Sequence, residues 1–337
     1  MNRTKFDSFE GLRGILALFV CLGHYGINNA ANRIGINLRY ELAVDVFFGL
    51  SGFVLSHTGY FGKKRFAEFA VARLARLYPL HLASLIAILG FYAAAGRPIV
   101  ATVLVEHGLL AHCLGIPPRY LYFNFPSWSI SVELWLSIGL CLLLSFRARR
   151  ACIGIGLGAV LVLVLFPGFQ LATVETLRTC FSGGLLRGIA GFSVGIAAYI
   201  YAEYWSARQQ LPRWSAYAAL AGLLLVFLKQ PLTQADSWLL YAFIFLVLVT
   251  VASNDQRLFL ARPALVYLGA LSYGIYLLHI PTVRWMEYLL SQDALRGPRK
   301  MLVLALLLPL AALANRYFER PAQGWIMRRL LPARRSP

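Results

Sequence analysis

Arg13 and His24 bracket the stretch RGILALFVCLGH, and the ten residues between them carry no charge. On an α-helix that separation is about three turns and a rise of about 16 Å, so both basic groups lie near one face. A guanidinium keeps its charge at any working pH and can grip a phosphate bidentately. An imidazole is the side chain suited to taking or giving a proton near neutrality. Other titratable groups stand in similarly apolar surroundings: Asp45 in AVDVFFGLSGFVLS, Glu133 in SWSISVELW, Arg187 in LLRGIAGFSVG and His279 in LGALSYGIYLLHIP. A charge inside a bilayer is costly and as a rule is either functional or paired. Histidines with carboxylates are the material of general acid–base chemistry, and clustered arginines that of anion binding. Read singly, each group also has an ordinary alternative. A lone histidine can bridge two helices by a hydrogen bond, and Asp45 or Glu133 can favour a helix start. Arg73 and Arg76 can be interfacial anchors, and Arg187 can serve a structural ion pair.

The elements that must hold these groups follow from hydropathy. Hydrophobic residues make up 59% of the 337-residue chain and charged residues 14%, with a mean hydropathy of +0.65. A soluble domain carries roughly a quarter charged residues. Apolar runs close to the bilayer-spanning length of about 20 residues recur along the whole sequence, which predicts an all-α, polytopic transmembrane bundle of about ten helices in a single domain. The predicted spans are 11–28, 42–58, 77–95, 128–146, 151–167, 179–202, 214–229, 237–252, 264–284 and 301–317. Segment 99–116 reads as external or re-entrant, because Glu106, His107 and His112 make it amphipathic. Met1–Glu10 is polar and no small-residue cleavage site follows the first apolar run, so that run is expected to stay as a membrane helix.

Basic residues gather on one side of these spans. Arg3, Lys5 and Arg13 are followed on that side by Lys63, Lys64, Arg65, Arg73 and Arg76, by Arg147, Arg149 and Arg150, and by the basic tail. The positive-inside rule then puts both termini in the cytoplasm. The net charge of +18 is accounted for by orientation and by contact with anionic headgroups of the lipid bilayer, without a nucleic-acid partner. The five cysteines form no CxxC pair and read as small buried hydrophobes, and no metal-ligand set is expected. Counting depth along each span puts His24, Asp45, Glu133 and His279 in one layer of the outer half. Arg13, Arg73 and Arg76 fall at the cytoplasmic surface.

The motifs form an ordered series: FEGLRGILALFVCLGHYG, AVDVFFGLSGFVLS, RFAEFAVARLARLYPLHL, SWSISVELW, LLRGIAGFSVG, LGALSYGIYLLHIP and RYFERPAQGW. In this order, over about residues 6–325, the chain resembles the acyltransferase-3 family of integral membrane acyltransferases. The family's Arg–ten residues–His pattern falls on Arg13 and His24, and its basic motif on Arg73 and Arg76. Its tryptophan–serine–glutamate segment falls on Trp128, Ser129, Ser131 and Glu133, and its Ser-Tyr…His-Pro segment on Ser272, Tyr273, His279 and Pro281.

The resemblance implies transfer of an acyl group, acetyl in the family's commonest case, from cytoplasmic acyl-CoA to a hydroxyl of a cell-envelope carbohydrate, glycolipid or related acceptor. It further implies a place in the bacterial inner membrane, with acyl-CoA as co-substrate and no permanently bound cofactor. Arg13, Arg73 and Arg76 would hold the donor phosphates, and His24 would be the general base. Glu133, and after it Asp45, would orient the imidazole. Arg187, Trp128, Ser129, Ser131, Tyr273 and His279 would line the rest of the substrate site. Many relatives add an extracytoplasmic esterase-like domain at the C-terminus; this sequence ends at Pro337, so direct transfer by the membrane domain is expected. A proton-coupled membrane transporter would also bury histidines and carboxylates, but it should show inverted repeats with interrupted helices in matching halves. The sequence has no such duplication.

Overall fold

The structure is a computed structural model that describes residues 5–26, 38–58, 66–114, 123–145, 154–161, 183–206, 211–229, 236–290, 295 and 297–331. Its helices are α1 (Asp7–His24), α2 (Ala43–His57), α3 (Phe66–Ala94), α4 (Ala101–Gly108), α5 (Ser127–Ser145), α6 (Gly183–Ser206), α7 (Arg213–Leu228), α8 (Asp236–Asn254), α9 (Pro263–Leu290), α10 (Val303–Ala314) and α11 (Arg320–Leu330). A π-helical turn, Asn315–Glu319, joins the last two, and residues 154–161 are helical as well. No strand occurs among the described residues. Five stretches are long and apolar enough to cross a membrane: Phe66–Ala94, Gly183–Trp205, Asp236–Arg257, Pro263–Leu290 and Arg299–Leu330. The helical character and the long apolar helices agree with the helical membrane bundle that the hydropathy pattern predicts; five of the described helices, against about ten expected spans, meet the length and hydropathy of a crossing. The α4 helix has eight residues and a length of about 12 Å, well short of the hydrocarbon thickness.

Two helices, α1 and α3, differ from the spans read off hydropathy in ways that move a candidate residue. First, α1 begins and ends about four residues earlier than predicted. Its polar start is held by tertiary partners: the Ser8 backbone N–H donates to Asp255 at 2.7 Å, and the Gln256 amide donates to Asp7 at 2.7 Å. Its end is set at Gly26, whose φ of 91° favours a residue without Cβ. Arg13 therefore lies about 9 Å inside the helix, and His24 occupies its last turn. Second, α3 starts at Phe66 and runs for 29 residues, about 43 Å, so Arg73 and Arg76 are helical rather than part of a loop. Arg3, Lys63, Lys64, Arg65, Arg147, Arg149, Arg150, Cys152 and Cys180 lie outside the described residues. Cys21, Cys113 and Cys141 are buried.

Backbone-to-backbone seams organise the bundle. Where α1 meets α9, a Cβ on Gly269 would sit 2.1 Å from the Glu10 carbonyl oxygen, and one on Gly14 would sit 2.7 Å from the Gly269 nitrogen. Where α2 meets α6, a Cβ on Gly195 would lie 2.1 Å from the Gly49 carbonyl oxygen, and one on Gly52 2.2 Å from that of Phe192. In a bilayer, helices associate by close packing rather than by hydrophobic exclusion, so small residues at the seam set how near the backbones come. Buried side chains such as Leu16, Val20, Phe53, Ile244 and Ile275 fill the space around the seams. The first seam brings His24 beside His279, and the second brings Asp45 beside Arg187.

Candidate active site

A cavity of about 60 Å³ lies where α1, α2, α3, α5 and α9 converge. Its polar lining comes from Arg13, Ser51, Arg76, Ser129, Glu133, Ser272, Tyr273 and Tyr276, and Phe47 and Phe48 contribute apolar wall. At one end, Glu133 forms an ion pair with Arg73 at 2.5 Å and accepts a hydrogen bond from Ser51 at 3.1 Å. Arg13 pairs with Glu10 at 3.3 Å. Arg76 is exposed and forms no ion pair among the described residues. Arg73 and Arg76 are three positions apart and so share a helix face, and both Arg76 and Arg13 act electrostatically on Glu133. The arginines thus meet around one carboxylate.

At the far end of the same helices, the imidazoles of His24 and His279 touch. His24 Nδ1 lies 2.8 Å from His279 Nε2, with the rings parallel and 5.0 Å apart. His279 Nδ1 bonds the Tyr276 carbonyl at 2.7 Å, and the Tyr25 hydroxyl donates to the His279 carbonyl at 2.9 Å. Tyr40 and Phe125 pack edge-to-face with His24, their ring centres 4.9 and 4.8 Å from that of the imidazole. Pro281 shapes the helix here. It lacks the N–H that would reach the Leu277 carbonyl, and the Asn124 amide supplies that bond instead at 2.8 Å. Tyr276 links the two ends: its carbonyl holds His279, while its hydroxyl lines the cavity and bonds Ser129 at 2.8 Å.

The layer of His24, Asp45, Glu133 and His279 expected from depth counting therefore divides into three. The histidines pair with each other, Glu133 pairs with Arg73, and Asp45 pairs with Arg187. Neither carboxylate expected to orient His24 contacts it. Depth counting assumes that every helix starts at the same surface. The first residue of α5, Ser127, is already fully buried, as is Asn124 before it, so the helix carries Glu133 down to the level of Arg73.

Arg187 and Asp45 are 1% and 0% exposed, and neither lines the cavity. Arg187 contacts the carboxylate at 3.1 and 2.7 Å, reaches the Glu41 carbonyl at 2.8 Å and lies 5.2 Å from the Trp128 ring. Tyr241 donates to Asp45 at 2.9 Å. This pair locks α2 to α6. Ser131 donates to the Leu110 carbonyl and so ties α5 to the turn after α4. The Tyr273 hydroxyl faces the Leu77 carbonyl at 2.5 Å on the cavity wall.

Two polar residues of the cavity wall, Ser51 and Tyr276, are absent from the set that sequence reasoning singles out. Both lie inside the ordered motifs, and Tyr276 sits at the helical spacing of three from both Tyr273 and His279. Glu319 is absent from that set too; it stands on the π-helical turn beside Asn315, within electrostatic reach of Arg76 and Arg320, and its Oε1 is buried. Among the described residues, no group of three or more histidine, cysteine or acidic side chains could hold a metal ion.

Comparison with known proteins gives three findings. The sequence model of the acyltransferase-3 family, described as an acyltransferase domain, matches residues 6–314. "Acyltransferase MdmB" of Streptomyces mycarofaciens is 26% identical over an alignment of 364 positions that covers 97% of this chain and 94% of that protein. "Protein 2 in picA locus" of Rhizobium radiobacter is 40% identical over 91 residues, which are 24% of this chain and 42% of that protein. No solved structure matches.

Proposed function

The chain belongs to the acyltransferase-3 family of integral membrane proteins, and on that premise we propose that it moves an acyl group, acetyl in the simplest case, from acyl-CoA to a hydroxyl of a cell-envelope carbohydrate, glycolipid or related acceptor. The donor enters from the cytoplasmic face of a bacterial inner membrane, on the side of both termini. The observation that carries this reading is the two-ended site. Arg13 and His24 lie three helical turns apart on α1, with Arg73 and Arg76 of α3 near the first and His279 of α9 beside the second. The cavity opens between α1 and its neighbours on the arginine side. A cavity of about 60 Å³ has room for a few water molecules and none for a nucleotide. The nucleotide phosphates therefore rest outside it against Arg13, Arg73 and Arg76, and the thioester arm runs inward past Tyr273 and Tyr276. Donor phosphates compete with Glu133 for Arg73.

At the histidine end, His24 Nε2 takes the proton of the acceptor hydroxyl as that oxygen attacks the thioester carbonyl. The C–O bond forms, the C–S bond breaks, and the leaving thiolate takes the proton back from the imidazolium. The products are one ester and one free thiol. Positioned general-base catalysis is worth about 10²–10⁴ in rate. His24→Ala is accordingly expected to insert and extract normally, to bind acyl-CoA with unchanged affinity, and to lose at least about 100-fold in transfer, read by mass spectrometry of the acylated acceptor. Normal turnover by this variant would remove His24 from the chemistry.

A further inference from the structure

The contact between the histidines fixes more than their distance, and its catalytic meaning rests on the proposed acyl transfer. A carbonyl oxygen can only accept a hydrogen bond. The 2.7 Å contact of His279 Nδ1 with the Tyr276 carbonyl therefore keeps the proton of a neutral His279 on Nδ1. Its Nε2 is then a lone pair and can only accept. His24 Nδ1, 2.8 Å from that nitrogen, must carry the proton of its own ring. By elimination, His24 Nε2 is bare.

We propose that His279 is a positioning residue. Through the Tyr276 carbonyl it holds His24 in the Nδ1–H tautomer and so leaves Nε2 as the lone pair that deprotonates the acceptor hydroxyl. In a hydrolytic triad a carboxylate performs this office. Here neither Asp45 nor Glu133 contacts His24, and each is committed to an arginine. A neutral imidazole backed by a carbonyl suits the location. Both rings are uncharged at rest, so the arrangement carries no buried unpaired ion, which would be costly to desolvate. When His24 gains a proton at Nε2, its Nδ1–H can strengthen its bond to His279 Nε2, or pass across it, and the positive charge spreads over two rings. The geometry is held from several sides. Tyr25 fixes the His279 carbonyl, Tyr40 and Phe125 confine the His24 ring, and the seam of Gly14 and Gly269 fixes the separation of the two helices.

The direct test is nitrogen-15 magnetic resonance on histidine-labelled protein in nanodiscs, with the His24 signals assigned by their loss in His24→Ala. His24 is expected to show a protonated Nδ1 and an unprotonated Nε2. Two variants then separate positioning from mere packing. In His279→Gln the amide oxygen stands near the former Nε2 and still accepts from His24 Nδ1–H, so kcat is expected to stay within about tenfold of the unaltered protein. In His279→Asn the shorter amide reaches only toward Tyr276. The His24 tautomer should then be lost and kcat should fall about 100-fold, with KM for acyl-CoA unchanged, because the arginine end is untouched. A protonated Nε2 on His24 in the unaltered protein would overturn the proposal, as would equal loss of kcat in the glutamine and asparagine variants. Normal turnover by His24→Ala is a different result, and it would overturn the general-base reading itself.

Discussion

Glu133 sets the electrostatics of the donor end. Three guanidinium groups act on this one carboxylate, while Glu10 pairs with Arg13 and Glu319 lies within electrostatic reach of Arg76, so the site is a cluster of mixed charge. Arg73 and Glu133 are tightly paired, and removing one partner of such a pair strands the other, so variants at either position report on folding as well as on binding. Arg76 is the cleaner probe, because it is exposed, lines the cavity and forms no ion pair among the described residues. A hydrogen bond to a charged group is worth about 1.5–3 kcal/mol, which converts to roughly tenfold or more in affinity. Arg76→Ala is expected to weaken both acyl-CoA and free CoA by that factor in calorimetry, while a truncated thioester without the nucleotide reacts nearly as before. Equal losses for the truncated thioester would make Arg76 a structural residue.

The helices α1 and α9 act as one element, since their backbones approach too closely at Gly14 and Gly269 for any side chain between them. Gly269→Ala forces a Cβ against the Glu10 carbonyl. Overpacking of this kind costs about 1–3 kcal/mol. The variant should therefore melt earlier in detergent and lose kcat, because the shift separates His24 from His279; an unchanged melting temperature would show that the seam is not under this constraint. Part of this arrangement is legible in the sequence. The eleven-residue spacing of Arg13 and His24 correctly puts the two groups about three turns apart on one helix. Partners are a different matter. Depth counted from hydropathy does not reveal that α5 starts inside the bundle at Ser127, or that polar Asp7 and Ser8 belong to α1 through bonds to the distant Asp255 and Gln256. Each of those facts depends on contacts between segments far apart in the chain. A single sequence read locally does not carry such contacts, and so it gives Glu133 and Asp45 the wrong neighbour.

For the molecule as a whole, composition makes the helical membrane bundle plain, and the charge distribution sets an expectation for its orientation. The site inherits a direction from that orientation. Arg13 and His24, about 16 Å apart along α1, would face a cytoplasmic donor and an acceptor approaching from the other side, so that the acyl group alone passes the intervening layer. Most of the positive charge would face the cytoplasmic leaflet, where it meets anionic headgroups. Proteoliposomes of known orientation test this most directly. Acyl-CoA is supplied only on the side of the N-terminus, and a carbohydrate acceptor is confined to the opposite side. Acylated acceptor should accumulate on that opposite side, and acyl-CoA supplied there instead should support none. If transfer instead requires donor and acceptor in the same compartment, the two-ended site does not pass an acyl group across the bilayer.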